Sequence, residues 1–316
     1  MKILVYGAGV LGSYLAHVLL RGGNDVTMLA RGQRFKDLQE KGLIIRHYIQ
    51  CRTTVDKPKI TEVLAAEDVY DLIFVVMQYT QLQAVLPALA GNRTKHIILV
   101  GNNADAFSMR DYILQNSATP KYVAFGFQST GGHRENGRVV CVRAKGQMEL
   151  GDLEQELSWR PLIDKAFEKA SYKLTYYNNM GAWLKSHIAL IMPLCYAAHA
   201  CNGDLRQVSR NKKLLLQIID AIDEGYKVLE ALGYPIMPPG EAAFVREKRN
   251  IFYWLLKIVT ATTIGRLMIS DHAMSALDEM WALHESFDQL KHKAAIPTPN
   301  WDELQAHIKR PAHLMA

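Results

Sequence analysis

Cysteine is scarce: four residues in 316, at positions 51, 141, 195 and 201, with no C-x-x-C pair and no His/Cys spacing suited to a metal. That excludes a disulfide scaffold and a zinc-ribbon type of site, and it leads us to expect reduced thiols in a cytoplasmic protein. Long apolar runs are missing too. The longest one after the N-terminal region, residues 188–201, contains Pro193 and His199 and is too short to cross a bilayer. There is no Lys/Arg-rich block with interleaved aromatics, and the net charge of +6 is spread along the chain. Nucleic acid is therefore not an expected partner, and a small anionic ligand is sufficient reason for the excess. Internal repeats and low-complexity linkers are absent, and 49% apolar with 22% charged residues is ordinary globular composition. The length allows two domains, each with its own core.

What is present is concentrated first at the N-terminus. Ile3, Leu4 and Val5 form a short apolar run, as in a buried parallel strand. Gly7, Gly9 and Gly12 follow as G-x-G-x-x-G, and an apolar-periodic helix starts at about Val10-Leu11. In that pattern the first glycine makes the tight turn, the second lets a pyrophosphate approach the backbone, and the third lets the helix pack on the strand. The unpaired amides of the helix N-terminus then face the phosphates. The next strand, residues 25–29, lacks the acidic residue that would hold a ribose 2′-hydroxyl at its end, and has Ala30-Arg31-Gly32-Gln33-Arg34 instead. Arg31 and Arg34 supply two guanidiniums able to grip a 2′-phosphate, so the expected cofactor is NADP rather than NAD.

A helix is predicted over residues 35–41, ended by Gly42, and a local hairpin over residues 43–49 and 52–55. Residues 72–76 and 97–100 are buried strands, followed by Met77-Gln78-Tyr79 and Gly101-Asn102-Asn103. Those positions are where open parallel sheets bind ligands. From residue 122 to 151 alternating segments and an Asn136-Gly137 turn predict an antiparallel extension of the sheet. A helix over 159–170 and a strand over 173–177 complete the first domain. Beyond Met180 strand signals nearly vanish, and helical periodicity covers 180–200, 211–231, 241–268 and 272–293. The expected architecture is an α/β Rossmann-type dinucleotide-binding domain, 1–178, followed by an all-α domain, 179–316.

In that second half Lys185 is the only Lys, Arg, Asp or Glu between Lys173 and Asp204. An ammonium among apolar neighbours is desolvated and suited to proton donation, as carbonyl reduction by hydride requires; the other reading is a lysine reaching solvent from a helix edge. Glu279 flanks the stripe Met280, Leu283, Phe287 and Leu290. It shares a face with His272 and Ser275, at i, i+3 and i+7, so it lines a pocket with them or is an ordinary solvated charge. The histidines show no metal-ligand grouping, and no metal is expected.

Taken in order, these features resemble the ketopantoate reductase family. The resemblance rests on Gly7-x-Gly9-x-x-Gly12, Arg31, Asn102, Trp183-Leu184-Lys185, the Asn202-Gly203-Asp204-Leu205-Arg206 turn, and Glu279 ahead of Ala295-Ile296-Pro297-Thr298-Pro299. It implies an NADPH-dependent oxidoreductase that reduces a 2-oxo acid, 2-dehydropantoate or a related compound, and a possible homodimer. It implies Lys185 as general acid, Glu279 holding a substrate hydroxyl or orienting the lysine, and Asn102 at the nicotinamide and substrate. Gly7, Gly9, Val10, Leu11, Gly12, Arg31, Gln78 and Asn102 are the expected cofactor contacts. Gln78 departs from a usual lysine, and Ala189 and Pro193 stand where asparagines are usual, which is expected to cost donors for a ketopantoate-like substrate. An NADP-binding sensor with the same fold, or a reductase of a different 2-oxo acid or an imine, is the alternative reading.

Overall fold

The computed structural model describes residues 1–142 and 146–314. The chain divides into two compact units, Met1–Gly181 and Ala182–Ala316. The first unit is built on an eight-stranded sheet. Its strands are β1 (Lys2–Tyr6), β2 (Asp25–Leu29), β5 (Lys59–Thr61), β6 (Leu72–Val76), β7 (His96–Val100), β8 (Tyr122–Gln128), β11 (Gly146–Gly151) and β12 (Tyr172–Tyr177). The spatial order is β12-β11-β8-β7-β6-β1-β2-β5. The six strands from β8 to β5 run parallel, β11 is antiparallel to β8, and β12 is parallel to β11. Every residue of β6 is buried, as expected of a strand covered on both faces. The strand order reverses between β1 and β6, the switch point at which such sheets bind ligands.

Helix α1 (Val10–Arg21) follows β1, and α2 (Gly32–Lys41) follows β2. Helices α3 (Tyr79–Leu82) and α4 (Leu86–Gly91) lie between β6 and β7, α5 (Ala106–Gln115) follows β7, and α6 (Arg160–Phe167) precedes β12. The predicted local hairpin is β3 (Leu43–His47) with β4 (Arg52–Asp56). The Asn136-Gly137 turn closes β9 (Gly131–Glu135) onto β10 (Arg138–Val142), with both turn residues at positive φ as a type I′ turn requires. The region 122–151 is not one antiparallel extension, however. β8 joins the main sheet in parallel and β11 antiparallel, whereas β9 and β10 leave it to form a separate sheet, β4-β3-β10-β9. The cause is the parallel pairing of β10 with β3, a contact between segments nearly a hundred residues apart that no local pattern encodes.

The second unit is helical. After α7 (Met180–Ala200) come α8 (Leu205–Arg210), α9 (Lys212–Ala231), α10 (Glu241–Glu247), α11 (Arg249–Ala261), the single turn α12 (Thr263–Gly265) and a π-helical turn Arg266–Ser270. They are followed by α13 (Asp271–Ser275), α14 (Leu277–Ala294) and α15 (Pro299–Gln305). The predicted run 241–268 is therefore interrupted. Thr262 is extended and its hydroxyl accepts from the Gly265 amide, while a Cβ on Gly265 would lie 2.1 Å from the Val259 carbonyl oxygen. Only glycine lets the chain fold back that closely. No single described helix is long and apolar enough to cross a membrane; Arg249–Ala261 and Thr263–Ser275 pass the test of length and composition only as a pair bent by 80°.

Trp301 fixes the core of this unit. It is 1% exposed, stacks on Phe287 with ring centroids 4.4 Å apart, and meets Tyr196 edge-on at 5.8 Å. Gly225 of α9 makes room for it, since a Cβ there would lie 2.8 Å from the indole. The adjacent Glu224 carboxylate accepts from the Asn300 and Trp301 amides at 3.2 and 2.8 Å, satisfying first-turn donors of α15. Trp301→Ala is expected to lose about 3–5 kcal/mol in urea unfolding, the usual cost of emptying a buried aromatic site. A loss under about 1 kcal/mol would show that the ring is not what organises this core.

Candidate functional site

The turn after β1 is shaped by contacts too close for any side chain. Gly7 has φ 119°, and a Cβ on it would sit 2.1 Å from the Val76 carbonyl oxygen. A Cβ on Gly12 would sit 2.0 Å from the Gly7 carbonyl oxygen, so helix α1 lies directly against the turn. Gly9 differs: nothing stands within 4 Å of where its Cβ would be. It is exposed and caps α1 without a side-chain hydrogen bond, leaving the first-turn amides around Val10 and Leu11 open on that side. A crowded first and third glycine with an open second one is the arrangement a pyrophosphate needs.

The two arginines after β2 turn out to have different roles. Arg34 is 8% exposed and bonded through all three nitrogens: Nε donates to the Ala8 carbonyl at 3.2 Å, Nη1 to the Gly137 carbonyl at 2.8 Å and Nη2 to the Ser13 hydroxyl at 3.0 Å. It ties the glycine turn to α1 and to the β9–β10 turn. The expectation that it grips a 2′-phosphate is thus corrected, because the side chain is buried and held by backbone and hydroxyl oxygens. Burial, with Arg134 nearby, lowers its pKa from the ordinary arginine value. Arg31 is exposed at the N-terminus of α2, with Nη2 donating to the Tyr6 hydroxyl at 3.1 Å and Nε to the Glu62 carbonyl at 3.4 Å. It keeps donors facing outward beside the turn.

At the carboxyl ends of β6 and β7, Gln78 caps α3 and is half-buried, and its carbonyl accepts from the Gln81 amide at 2.9 Å. The neighbouring Tyr79 hydroxyl donates to the Asp105 carboxylate, and the Asp105 amide donates to the Asn103 side chain at 2.9 Å. This chain of bonds links the loops after β6 and β7, and neither Tyr79 nor Asp105 carried a sequence signal for it. Burial and the Asp105 carboxylate raise the Tyr79 pKa, so the phenol stays a donor. Asn102 lies beside this lock, 6% exposed, and its Oδ1 has no hydrogen-bond partner among the described residues. A buried acceptor left unpaired costs about 1–3 kcal/mol, which a ligand N–H or O–H in this loop would offset.

Within the second unit, Lys185 on α7 is half-buried with Nζ 4.9 Å from the Tyr234 ring centre. Glu279 on α14 is 2% exposed and lies 3.2 Å from the Nε2 of His272, whose side chain is 43% exposed. His187 stacks on Trp183 with ring centroids 5.0 Å apart, and burial together with the His272 charge pushes it down to about 3, so it is neutral. Burial and the Glu279 charge push the Cys195 thiol up to about 12, making it an inert core group whose sulfur contacts Met280 at 3.4 Å. Ser275 does not join this group: its hydroxyl turns back to the Asp271 carbonyl at 2.5 Å and is exposed, because the helix breaks at Ala276. Ala189 is fully buried, and a Cβ on the facing Gly225 would lie 3.2 Å from its methyl, so it fills the core and is not a lost pocket amide. Elsewhere in this unit Arg246 pairs with Asp223 and Glu230, and Arg249 with Asp220. Among the described residues no cluster of three or more His, Cys, Asp or Glu could hold a metal ion.

The sequence model of ketopantoate reductase PanE/ApbA matches residues 3–155. The match covers just under half of the chain and makes that stretch similar to the ketopantoate reductase domain. It is 23% identical to a 2-dehydropantoate 2-reductase of Pyrococcus abyssi over 77% of this chain and 79% of that one. It is 49% identical over 45 residues to the uncharacterized oxidoreductase YkpB of Bacillus subtilis, a match covering 14% of this chain and 15% of that relative. Among solved structures, a D-mandelate dehydrogenase with NADH and anilino(oxo)acetate superposes with a TM-score of 0.74 at 17% identity, covering 98% of this chain and 97% of that one. A 2-dehydropantoate 2-reductase of Methylococcus capsulatus gives 0.71 at 16% identity, covering 97% and 95%. The ketopantoate reductase family and these neighbours are oxidoreductases, and they share this Rossmann-plus-helical fold.

The division of labour between the arginines has a measurable signature. Arg34→Ala is expected to destabilise the protein by about 2–4 kcal/mol in urea unfolding, since it strips charged donors from buried acceptors. Arg31→Ala should leave stability within about 0.5 kcal/mol of the parent. The reverse order would contradict the assignment.

Proposed function

We propose that this protein is an NADPH-dependent reductase of a 2-oxo acid, with the N-terminal unit holding the cofactor and the helical unit supplying substrate-binding and proton-donating groups. The observation that carries the reading is the glycine turn: Gly7 and Gly12 are crowded to the limit, and Gly9 alone is left open at the start of α1. Gly7, Gly9 and Gly12 shape the turn, and the Val10 and Leu11 amides receive the pyrophosphate. Arg31 takes the 2′-phosphate, which favours NADP over NAD, as no carboxylate stands at the end of β2 to accept a 2′-hydroxyl. Asn102 offers its unpaired Oδ1 to the nicotinamide end or to the substrate, with Gln78 on the neighbouring loop. The cofactor, when bound, supplies hydride to the substrate carbonyl.

Lys185 then donates the proton that the developing alkoxide requires, and the Tyr234 ring beneath its ammonium holds the side chain in place. Glu279, kept beside His272, binds a substrate hydroxyl or orients the lysine. Gln78 in place of a lysine removes one positive charge that could face a substrate carboxylate, so 2-dehydropantoate is not singled out among 2-oxo acids. The same replacement is the feature that favours the second reading, a cofactor-binding sensor without turnover. The exposed apolar row Ile251, Trp254, Leu255 and Ile258 on α11 supports a homodimer formed by the helical unit.

NADPH oxidation against a panel of 2-oxo acids separates these readings. Turnover of at least one member is expected, with kcat falling about 10²–10⁴-fold in Lys185→Ala while that variant still binds NADPH. No turnover with any 2-oxo acid supports the sensor, and near-parent kcat in Lys185→Ala removes the lysine from the chemistry.

A further inference from the structure

A second opening in the N-terminal unit lies toward the far end of α1. It has a volume of about 290 Å³ and is formed by His17 and Arg21 of α1, Arg52 and Thr54 of β4, and Lys169 and Ser171 of the segment after α6, with Tyr14, Val18 and Ala170 completing the wall. Arg21 is roughly 16 Å along the helix from Val10 at 1.5 Å per residue, so the opening is well removed from the glycine turn. Its walls carry three permanent cations and no acidic residue. The cations come from three separate chain segments, so they are more than the ordinary complement of a helix C-terminal dipole, for which Arg21 alone would serve.

One wall is built rather than merely exposed. His17 is 5% exposed and its Nδ1 lies 2.6 Å from the Asp56 carboxylate, whose other oxygen accepts from the Arg21 Nε at 2.7 Å. Although burial alone would push the Asp56 carboxyl up, the hydrogen bonds and charges of His17 and Arg21 hold it below the usual carboxylate range. A carboxylate on Nδ1 orients the imidazole, whose Nε2 has no hydrogen bond to a described residue. Arg21 spends Nε on Asp56 and Nη2 on the Val55 carbonyl at 3.4 Å, and keeps further donors. Asp56, which does not line the opening, is thus paired behind it, while Arg52 and Lys169 are exposed with no ion pair among the described residues.

We propose that this opening binds a phosphate-type dianion, free or carried as a small phosphate monoester, at a site separate from the dinucleotide turn. Guanidiniums from two sides, an ammonium and the Ser171 hydroxyl surround it with donors, the donor set that a tetrahedral dianion takes. The open side leaves room for the ester substituent.

Isothermal titration of the full-length protein with inorganic phosphate and, separately, glycerol 3-phosphate tests this, using two variants that keep it distinct from the cofactor site. Arg52→Ala/Lys169→Ala removes two exposed side chains and should unfold at the parent's urea midpoint. It is expected to bind the anion at least about tenfold more weakly, as the loss of charge-assisted hydrogen bonds implies. Arg31→Ala should bind it as the parent does. Binding of inorganic phosphate but not of the ester identifies free phosphate as the ligand; binding of the ester at least as tightly identifies a phosphorylated metabolite. No binding by the parent in the millimolar range, equal affinity in the double variant, or loss of binding in Arg31→Ala overturns the proposal.

Discussion

The N-terminal unit depends on one approach of backbone to backbone: α1 rests on the carbonyl of Gly7, and Gly7 in turn rests on the carbonyl of Val76. A methyl group at Gly7 or Gly12 would have to occupy space within about the length of a hydrogen bond of those oxygens. That contact sets where α1 begins, and so where its open amides stand relative to the β1–β6 switch point. Arg34 reinforces it from the other side by donating to the Ala8 carbonyl inside the turn and to Ser13 one turn into the helix. Its third bond, to Gly137, fastens the second sheet to the same place. A buried guanidinium bonded to three neutral oxygens carries a desolvation cost, and the rigidity of the glycine turn is what that cost sustains.

The helical unit shows a similar economy around Trp301. Gly225 and Ala189 are small because the indole and the helix α7 need the space, and Glu224 next to Gly225 turns its carboxylate to the N-terminus of α15. The ionisable groups nearby are sorted by burial. His187 is held neutral, the Cys195 thiol is held protonated, and Glu279 lies within ion-pair distance of the half-exposed His272. Of these only the His272–Glu279 pair has a route to solvent, through the half-exposed imidazole.

The parallel core was legible because β6 and β7 are continuous apolar runs and the glycine spacing states the turn between β1 and α1 directly. The Asn136-Gly137 turn was legible for the same local reason: both residues must take positive φ. What the sequence could not disclose were pairings over long separations. β10 joins β3, and Arg34 reaches Gly137 across 103 residues, so a residue read as a phosphate ligand became a structural clamp. Ser275 was misplaced because a face computed for a continuous helix does not survive the break at Ala276. Ala189 illustrates a different limit. Its neighbour Gly225 lies on another helix, and only that contact distinguishes a filled core from an emptied pocket.

With Arg34 withdrawn, the proposed recognition of a 2′-phosphate rests on Arg31, and the cofactor preference becomes the sharpest test of the account. Nucleotide fluorescence titrations of the parent protein with NADPH and NADH measure it directly. The account predicts that NADPH binds at least about tenfold more tightly, the worth of one charge-assisted contact, and that Arg31→Ala abolishes the difference. Equal affinities in the parent, or a preference for NADH, would contradict it.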